Sequence, residues 1–271
     1  MEITFVDNEN AKFVDVLKES LKNANDVKFS VAFLKYSGYS LIKSYIENIL
    51  KNRGIVEFLV GLDFRTTDPD TLLELKFLQS SNANLKCLCF SDPGKNAPSV
   101  FHPKLYLMKN NKKTVAVVGS SNLTKGGLAD NTELNVVLSG KENDSEILQL
   151  SNFYLRLRLR ESVFEPSDEY IESYRKIYDT VAKYNEGAFK KEEMKKELNK
   201  LREMEELLPG TRPTLRRLVV DAAKILPKTK EGYVQLQDIY DYVKSELKNM
   251  ELTSAVLSIL MQTLEGQYMV T

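Results

Sequence analysis

The stretch FHPKLYL, residues 101–107, contains the side chains of the sequence best suited to chemistry. His102 is the only histidine among 271 residues, and Lys104 follows it two positions later in an apolar, β-rich run. Alternate residues of a β-strand point to the same face of a sheet, so a strand here would set the imidazole beside the ammonium group. The spacing predicts that both groups address one ligand.

A second polar group closes the next predicted strand. The run TVAVVGSSN ends in a turn of small hydrogen-bond donors that includes Ser120 and Asn122. If the two strands are neighbours and end at one edge, these side chains meet His102 and Lys104 around one point. A nucleophile or base, a cation and neutral donors are what an anionic phosphoryl group requires. A lone histidine is more often incidental, but this combination predicts phosphoryl transfer.

The elements that must position these residues follow two periodicities. Apolar spacing predicts helices at residues 11–22, 39–50 and 70–79, with Asp68 as a plausible N-cap of the third. Short apolar or β-rich runs predict strands at residues 27–34, 55–62, 85–90, 104–108, 114–120 and 133–138. Alternation of this kind indicates a layered α/β domain.

The chain changes character around residue 143. We expect an α/β domain over residues 1–160, a charged amphipathic helical connector over 161–210, and a small helical module over 211–271. The last module has the order helix, β-like YVQL, helix, turn, helix. That order fits either a winged-helix module without its wing or a helical cap.

Composition excludes several classes of protein. The 38 Lys and Arg residues balance 38 Asp and Glu residues, so any phosphate binding must be local. No apolar run is long enough to cross a bilayer and no signal peptide opens the sequence, which leads us to expect a cytoplasmic protein with no membrane partner. Cys87 and Cys89 are expected to be buried free thiols, because a zinc site would need more ligands.

The same residues carry a resemblance to a known family. HPKLYL followed by VVGSSNLTKGGLADNTELNVV resembles the His-x-Lys and Gly-Ser-x-Asn signature of the phospholipase D superfamily, in the form of its helicase-associated and restriction-endonuclease branch. The likeness is specific over residues 101–138 and extends in general layout over about 1–160. It implies a phospholipase D-like α/β sandwich, here with a helical C-terminal extension.

The resemblance also implies a role for each site residue. In that family two copies of the motif meet in one site without metal or other cofactor: one histidine attacks phosphorus and the other protonates the leaving oxygen. His102 would be the nucleophile or the acid, Lys104 and Asn122 would hold the phosphate, and Ser120 would be a supporting donor. Glu133 matches a family glutamate that orients the histidine.

The sequence departs from the family pattern at one position. The signature aspartate, five residues after the lysine, is replaced by Lys109, and the interval from Lys104 to Gly119 is 119 − 104 = 15 residues, longer than usual. We interpret the loss as a feature of this branch, while a degenerate domain that only binds DNA stays an alternative.

Three further cations are candidates for substrate binding. Lys35 and Arg65 follow predicted strand ends, where sites of α/β proteins gather, and Lys125 follows the GSSN turn. For each of them, a purely solvated side chain explains the residue about equally well.

The sequence therefore predicts a metal-independent phosphodiesterase that cleaves nucleic acid, with DNA as the expected substrate. Because the chain holds one motif, the site should need a homodimer. The alternative from another class is a catalytically silent DNA-binding or assembly module of a larger helicase or restriction system. Lipid hydrolysis is a third and weaker hypothesis.

Overall fold

The computed structural model describes residues 1–91, 100–190, 196, 215–229 and 232–249. The chain divides into two compact units, Met1–Gly187 and Ala188–Thr271. The first unit contains the expected α/β domain together with residues 161–187 of the segment expected to be a connector. Most of the predicted charged helix beyond residue 190 lies outside the described residues.

A mixed eight-stranded sheet forms the centre of the first unit. Its strands are β1 (Glu2–Val6), β2 (Asp26–Val31), β3 (Ile55–Gly61), β4 (Leu85–Phe90), β5 (Lys104–Lys109), β6 (Thr114–Gly119), β7 (Asn135–Gly140) and β8 (Val163–Phe164). The order across the sheet is β1-β7-β6-β5-β2-β3-β4-β8. Strands β2, β3 and β4 are parallel, and the other pairs are antiparallel.

Helices cover both faces of this sheet. Those of the first unit are α1 (Phe13–Leu21), α2 (Tyr36–Tyr39), α3 (Lys43–Lys51), α4 (Pro69–Ser80), α5 (Ser145–Arg158) and α6 (Asp168–Lys190). Helices α1, α3 and α4 share one apolar core with Phe29, Phe58 and Tyr106 of the sheet, and Ile171 and Tyr174 of α6 complete it. Helix α5 packs on the opposite face. The predicted layered α/β sandwich is confirmed.

The structure differs from the predicted elements at several places. Strand β1 was missed although its sequence EITFV alternates polar and apolar residues. Four of its five residues are exposed, and the strand forms by pairing with the distant β7. The two-residue β8 is too short to give a pattern. The predicted helix at 39–50 corresponds to α3, which begins later, at Lys43, whereas the short α2 ends at Tyr39 and was not predicted. Asp68 occupies the N-cap position of α4 without capping it through its side chain.

In the second unit the structure describes two helices, α7 (Leu215–Ile225) and α8 (Leu236–Asn249). They bury Leu218, Ala222 and Val243. The β-like YVQL segment does not form a strand: Tyr233 lies in a turn with Gly232 at φ 88°, and Leu236 already begins α8. The third helix expected for a winged-helix module lies outside the described residues.

Cys87 and Cys89 are free and buried, as predicted. Among the described residues, no helix is long and apolar enough to cross a membrane.

Candidate active site

The candidate site lies at one edge of the sheet, where several chain segments meet. Parallel strands β2 and β3 end there, so the loops that follow them lie side by side. Strand β5 begins at the same edge and β6 ends there, because the antiparallel register pairs Leu105 with Val118. This register sets Lys104 opposite Gly119. The interval of 15 residues therefore suits a hairpin that brings HPK and GSSN together.

His102 and Lys104 are in direct contact. Lys104 Nζ lies 2.6 Å from His102 Nδ1 and 3.0 Å from Nε2, and it donates a hydrogen bond of 3.0 Å to the carbonyl oxygen of His102. The reason differs from the predicted one: β5 begins at Lys104, so His102 precedes the strand and the lysine side chain reaches back to it. The predicted pair is nevertheless formed.

Burial and charge set the protonation of this pair. The imidazole of His102 is exposed on one side, while only 6% of Lys104 is accessible to solvent. Partial burial lowers the pKa of His102, and the positive charge of Lys104 lowers it further. Burial also lowers the pKa of Lys104, although the negative charge of Glu133 acts in the opposite direction. The arrangement favours a neutral imidazole beside a cation.

Aromatic residues hold the segment that carries His102. Phe101 is buried, stacks on Phe90 with ring centroids 4.9 Å apart, and donates its backbone N–H to Asp63 Oδ2 at 2.9 Å. The imidazole itself lies beside two rings that contact each other, with centroid distances of 6.0 Å to Phe33 and 5.7 Å to Phe64. His102 is therefore fixed at its backbone and bordered by apolar surface.

Glu133 contacts Ser120 instead of the histidine. Ser120 Oγ donates to a carboxylate oxygen of Glu133 and accepts the backbone N–H of Leu134 at 3.0 Å. Asn131 Nδ2 donates to the other carboxylate oxygen at 3.3 Å. Within the part of the chain that the structure describes, no hydrogen bond joins Glu133 to His102. The carboxylate acts on the site through its charge, which offsets the burial of Lys104.

The side chain of Asn122 is held in one orientation. Its Oδ1 accepts the backbone N–H of Phe33 at 3.0 Å, which leaves the Nδ2 amide as a donor with no partner among the described residues. Gly127 allows the chain to approach the backbone of Asn122 closely, because a Cβ there would lie 2.5 Å from the carbonyl oxygen of Asn122. The amide can therefore donate to a ligand at the edge of the sheet.

The glycine of the GSSN turn is required for a similar reason. A Cβ on Gly119 would lie 2.4 Å from both Asn135 Oδ1 and the carbonyl oxygen of Leu134. Asn135 is buried, donates to Ser121 Oγ at 2.8 Å and accepts the Ser121 N–H at 3.3 Å. The close approach of β6 and β7 thus fixes the start of the GSSN turn.

The three cations expected to bind substrate lie around this edge in different settings. Lys35 forms an ion pair with Asp68 at 3.6 Å, and Lys125 forms one with Asp130 at 3.5 Å. Arg65 donates to the carbonyl oxygen of Leu62 at 2.5 Å. In the described residues none of the three contacts His102. Their proximity to the site follows from loop position alone.

Lys109, which replaces the family aspartate, lies at the opposite end of β5. It forms an ion pair of 2.6 Å with Glu142. Five residues of strand span about 16 Å, so position 109 is out of reach of His102. The missing aspartate therefore removes no group from the immediate surroundings of the imidazole.

Sequence reasoning missed the residues that support the site from distant segments. These are Phe33 and Phe64 beside His102, Asp63 under Phe101, Tyr106, whose hydroxyl donates to the carbonyl oxygen of Ser121 at 2.9 Å, and Asn135. Asn135 alone left a signal, as a polar residue that opens the apolar run NVVL. Among the described residues, no group of three or more His, Cys, Asp or Glu side chains could hold a metal ion.

The arrangement can bind and attack an anion. A buried cation, an oriented amide donor and a neutral imidazole face one open edge, where a phosphate oxygen would meet donors already in position. The imidazole can attack when one of its ring nitrogens is unprotonated and not engaged by Lys104.

Comparison with known proteins places the chain in a family. A family described as "Cardiolipin synthase, PLD-like domain" matches residues 17–152, half of the chain. No curated protein matches the sequence. The fold is similar to that of NucT from Helicobacter pylori, with 15% identity and a TM-score of 0.47 over 61% of this chain and 99% of that one.

Two other solved structures have comparable similarity. Nuc from Salmonella typhimurium, a phospholipase D family member, has 14% identity and a TM-score of 0.45 over 61% of this chain and 97% of its own. Phosphatidylserine synthase from Haemophilus influenzae Rd KW20 has 12% identity and a TM-score of 0.47 over 68% of this chain and 45% of its own. The family match, which includes both HPK and GSSN, supports an enzyme that acts on phosphodiesters: the chain belongs to the phospholipase D-like superfamily.

Proposed function

We propose that this protein is a metal-independent nuclease that cleaves DNA through a phosphohistidine intermediate, in a site shared by two copies of the chain. The observation that carries the proposal is the contact of Lys104 Nζ with the His102 imidazole, 2.6 Å from Nδ1. It sets a nucleophile and a phosphate-binding cation side by side. The family match supports phosphodiester chemistry, and the features below support the finer assignment.

His102 is the proposed nucleophile. Its lowered pKa favours the neutral form. Its unprotonated ring nitrogen attacks phosphorus once Lys104 Nζ turns from the imidazole to a phosphoryl oxygen, while the bond from phosphorus to the leaving oxygen breaks. Lys104 and Asn122 bind the phosphoryl oxygens, on which charge builds during the transfer. Glu133 is a positioning residue: it holds Ser120 and its charge favours the protonated form of the buried Lys104.

A second copy of the chain supplies the acid. The leaving oxygen needs a proton, and one chain has one histidine for two tasks. The partner copy's imidazole, protonated near the bound anion, gives its proton to the leaving oxygen. Water then attacks the phosphohistidine, its proton passes to that same imidazole, and the bond between phosphorus and nitrogen breaks. Both histidines return to their initial states.

DNA is proposed as the substrate because cations border the site. Lys35, Arg65 and Lys125 follow β2, β3 and the GSSN turn, the segments that end at the catalytic edge. Cations in these positions can follow the phosphates that flank the scissile one. We further propose that the chain works within a larger helicase or restriction system, with the C-terminal helices as the connecting part.

The test is cleavage of labelled DNA in excess EDTA, by the wild type and by His102→Ala. We expect the wild type to keep its rate in chelator, because the charge of Lys104 and the hydrogen bond from Asn122 stabilise the phosphate without a metal, and the variant to lose activity. Loss of activity in EDTA with recovery in magnesium contradicts the mechanism. DNA binding without cleavage by the wild type would instead support the silent binding module, and cleavage of phospholipid vesicles alone would support lipid hydrolysis.

A further inference from the structure

A large apolar side chain stands exposed beside the proposed nucleophile. Phe64 is 45% accessible to solvent, yet its ring centroid is 5.7 Å from the imidazole of His102 and 5.3 Å from the ring of Phe33. Part of the ring is therefore supported by protein, while nearly half of its surface is accessible to solvent beside His102. Exposed apolar side chains occur elsewhere on the chain, Phe77 among them, so the contact with His102, and not exposure alone, distinguishes Phe64.

The backbone holds Phe64 in this exposed position. The turn closes with the Arg65 N–H donating to the carbonyl oxygen of Leu62 at 3.1 Å, and Arg65 adopts φ 53°, a conformation that costs free energy in a residue other than glycine. On the other side of Phe64, Asp63 binds the backbone of Phe101. The turn is thus tied to the segment that carries His102, and the ring is presented in a defined place.

The neighbouring loop repeats the same combination of side chains. Tyr36 is 50% exposed and follows Lys35, just as Arg65 follows Phe64. Asp68 accepts the Tyr36 N–H at 2.8 Å and pairs with Lys35, which ties this loop to the segment after Arg65. Each loop therefore carries one exposed ring and one cation at adjacent positions of the sequence near the site.

From this arrangement we infer that the rim binds unstacked nucleobases and that the preferred substrate is single-stranded nucleic acid, with Phe64 stacking on a base next to the scissile phosphate. The inference rests on the proposed function. Exposed rings interleaved with cations suit a strand whose bases are free, because bases stack on aromatic side chains while cations follow the phosphates. In a duplex the faces of the bases are covered by their neighbours, so the ring of Phe64 would have no partner.

The first experiment compares cleavage of a labelled DNA strand, free and annealed to its complement, by the intact protein. We expect faster cleavage of the free strand. Phe64→Ala should lower kcat/KM on the free strand about 5- to 150-fold, the usual loss when one stacking ring is removed, and Phe64→Tyr should restore most of it. Phe77→Ala is the matched control, because Phe77 is 77% exposed on α4 and should leave the rate unchanged.

The second experiment separates stacking from a structural role of the ring. A tetrahydrofuran strand of equal length keeps the sugars and phosphates but has no bases. The wild type should cleave this strand more slowly, and bind it more weakly, than the natural strand. The factor should be about the same as the factor by which Phe64→Ala slows cleavage of the natural strand. The Phe64→Ala variant should cleave the two strands at nearly the same rate, because removal of the bases costs nothing once their stacking partner is gone.

The outcomes distinguish this inference from the proposed function. Equal cleavage of free strand and duplex, unaffected by Phe64→Ala, overturns the stacking inference and leaves phosphodiester hydrolysis intact. An equal loss for Phe64→Ala on natural and base-free strands also overturns it. If the wild type cleaves no DNA, the proposed function fails, and the affinities of the wild type and Phe64→Ala for the two strands then decide the stacking inference alone.

Discussion

The two ends of strand β5 carry a lysine each, and the two lysines have opposite surroundings. Lys104 is buried, contacts His102 and lies among aromatic rings, whereas Lys109 is partly exposed and pairs with Glu142. The far end also borders a cavity of about 540 Å³, and Lys112, Lys113 and Lys141 line it. A cavity lined by several cations thus lies at the end of β5 that has no histidine.

Burial and fixed neighbours, more than the number of cations, distinguish the candidate site from the opposite end of β5. A solvated lysine shares its charge with water, and its ion pair with an exposed carboxylate contributes at most about 1 kcal/mol. A buried lysine meets a phosphate without a competing hydration shell, so its charge acts more strongly. The two lysines therefore differ in burial and in neighbouring groups because they lie at opposite ends of the strand.

The largest effect is expected from a substitution at the end of β5 that carries Lys104, called the site end, which leaves the far end at Lys109 unchanged. Lys104→Met keeps the apolar stem but removes the charge, and we expect kcat to fall about 100- to 1,000-fold, with a smaller loss of DNA affinity, because the charge acts mainly in the transition state. Lys109→Met is the matched control on the same strand and should stay within about twofold of the wild type. Steady-state cleavage and equilibrium DNA binding measure the two quantities.

Position 109 offers a sharper control in the same assays. Lys109→Asp restores the acidic residue of the family signature, yet it should leave the rate unchanged because the side chain is about 16 Å from the site end. A higher rate for this variant, or equal losses in turnover and binding for Lys104→Met, would contradict the contrast between the two ends.

The site end was predictable from the sequence because its main pairs are local. His102 and Lys104 are two residues apart, so their spacing predicted the contact even though His102 precedes the strand. A hairpin between neighbouring strands brings Gly119 opposite Lys104. Lys109 was predictable only as a departure from a pattern. Its irrelevance to the site became clear from the length and direction of β5.

Contacts between distant segments could not be predicted. Phe33 and Phe64 reach His102 only because parallel strands β2 and β3 end at the edge where β5 begins, and neither residue belongs to a recognisable pattern. The partner of Glu133 is a similar case: resemblance implied the histidine, whereas the structure gives Ser120. Side-chain orientation at the end of a strand depends on the neighbouring turn, which periodicity does not describe.

Mixing of subunits tests whether the site end needs a second chain. If both copies of His102 serve one phosphate, a dimer with one His102→Ala subunit lacks either the nucleophile or the acid. After random exchange, an equal mixture of wild type and His102→Ala should retain about a quarter of the wild-type activity, since a quarter of the dimers are fully wild type. An equal mixture with Lys109→Met should retain nearly all of it.

The measurement is activity against the wild-type fraction, after exchange has been verified with two differently tagged chains. A quadratic decline supports the shared site. A linear decline, with half of the activity left in the equal mixture, would mean that each chain works alone, and the source of the second proton would have to lie elsewhere in the chain.

The smallest expected effect concerns the protonation of His102 and needs no turnover. In the wild type, burial and the charge of Lys104 both lower the pKa of His102, so its neutral, nucleophilic form persists to lower pH than in an ordinary histidine. Lys104→Met keeps the side chain buried but removes the charge, so the pKa should rise toward its usual value and the neutral form should be lost at higher pH. Lys109→Met should not shift the pKa, because Lys109 lies at the far end of the strand.

Because His102 is the only histidine of the chain, an NMR titration of its imidazole reports this pKa without overlap. An unchanged or lower pKa in Lys104→Met would show that the contact between the two side chains does not control the nucleophile, and the two ends of β5 would then differ in burial alone.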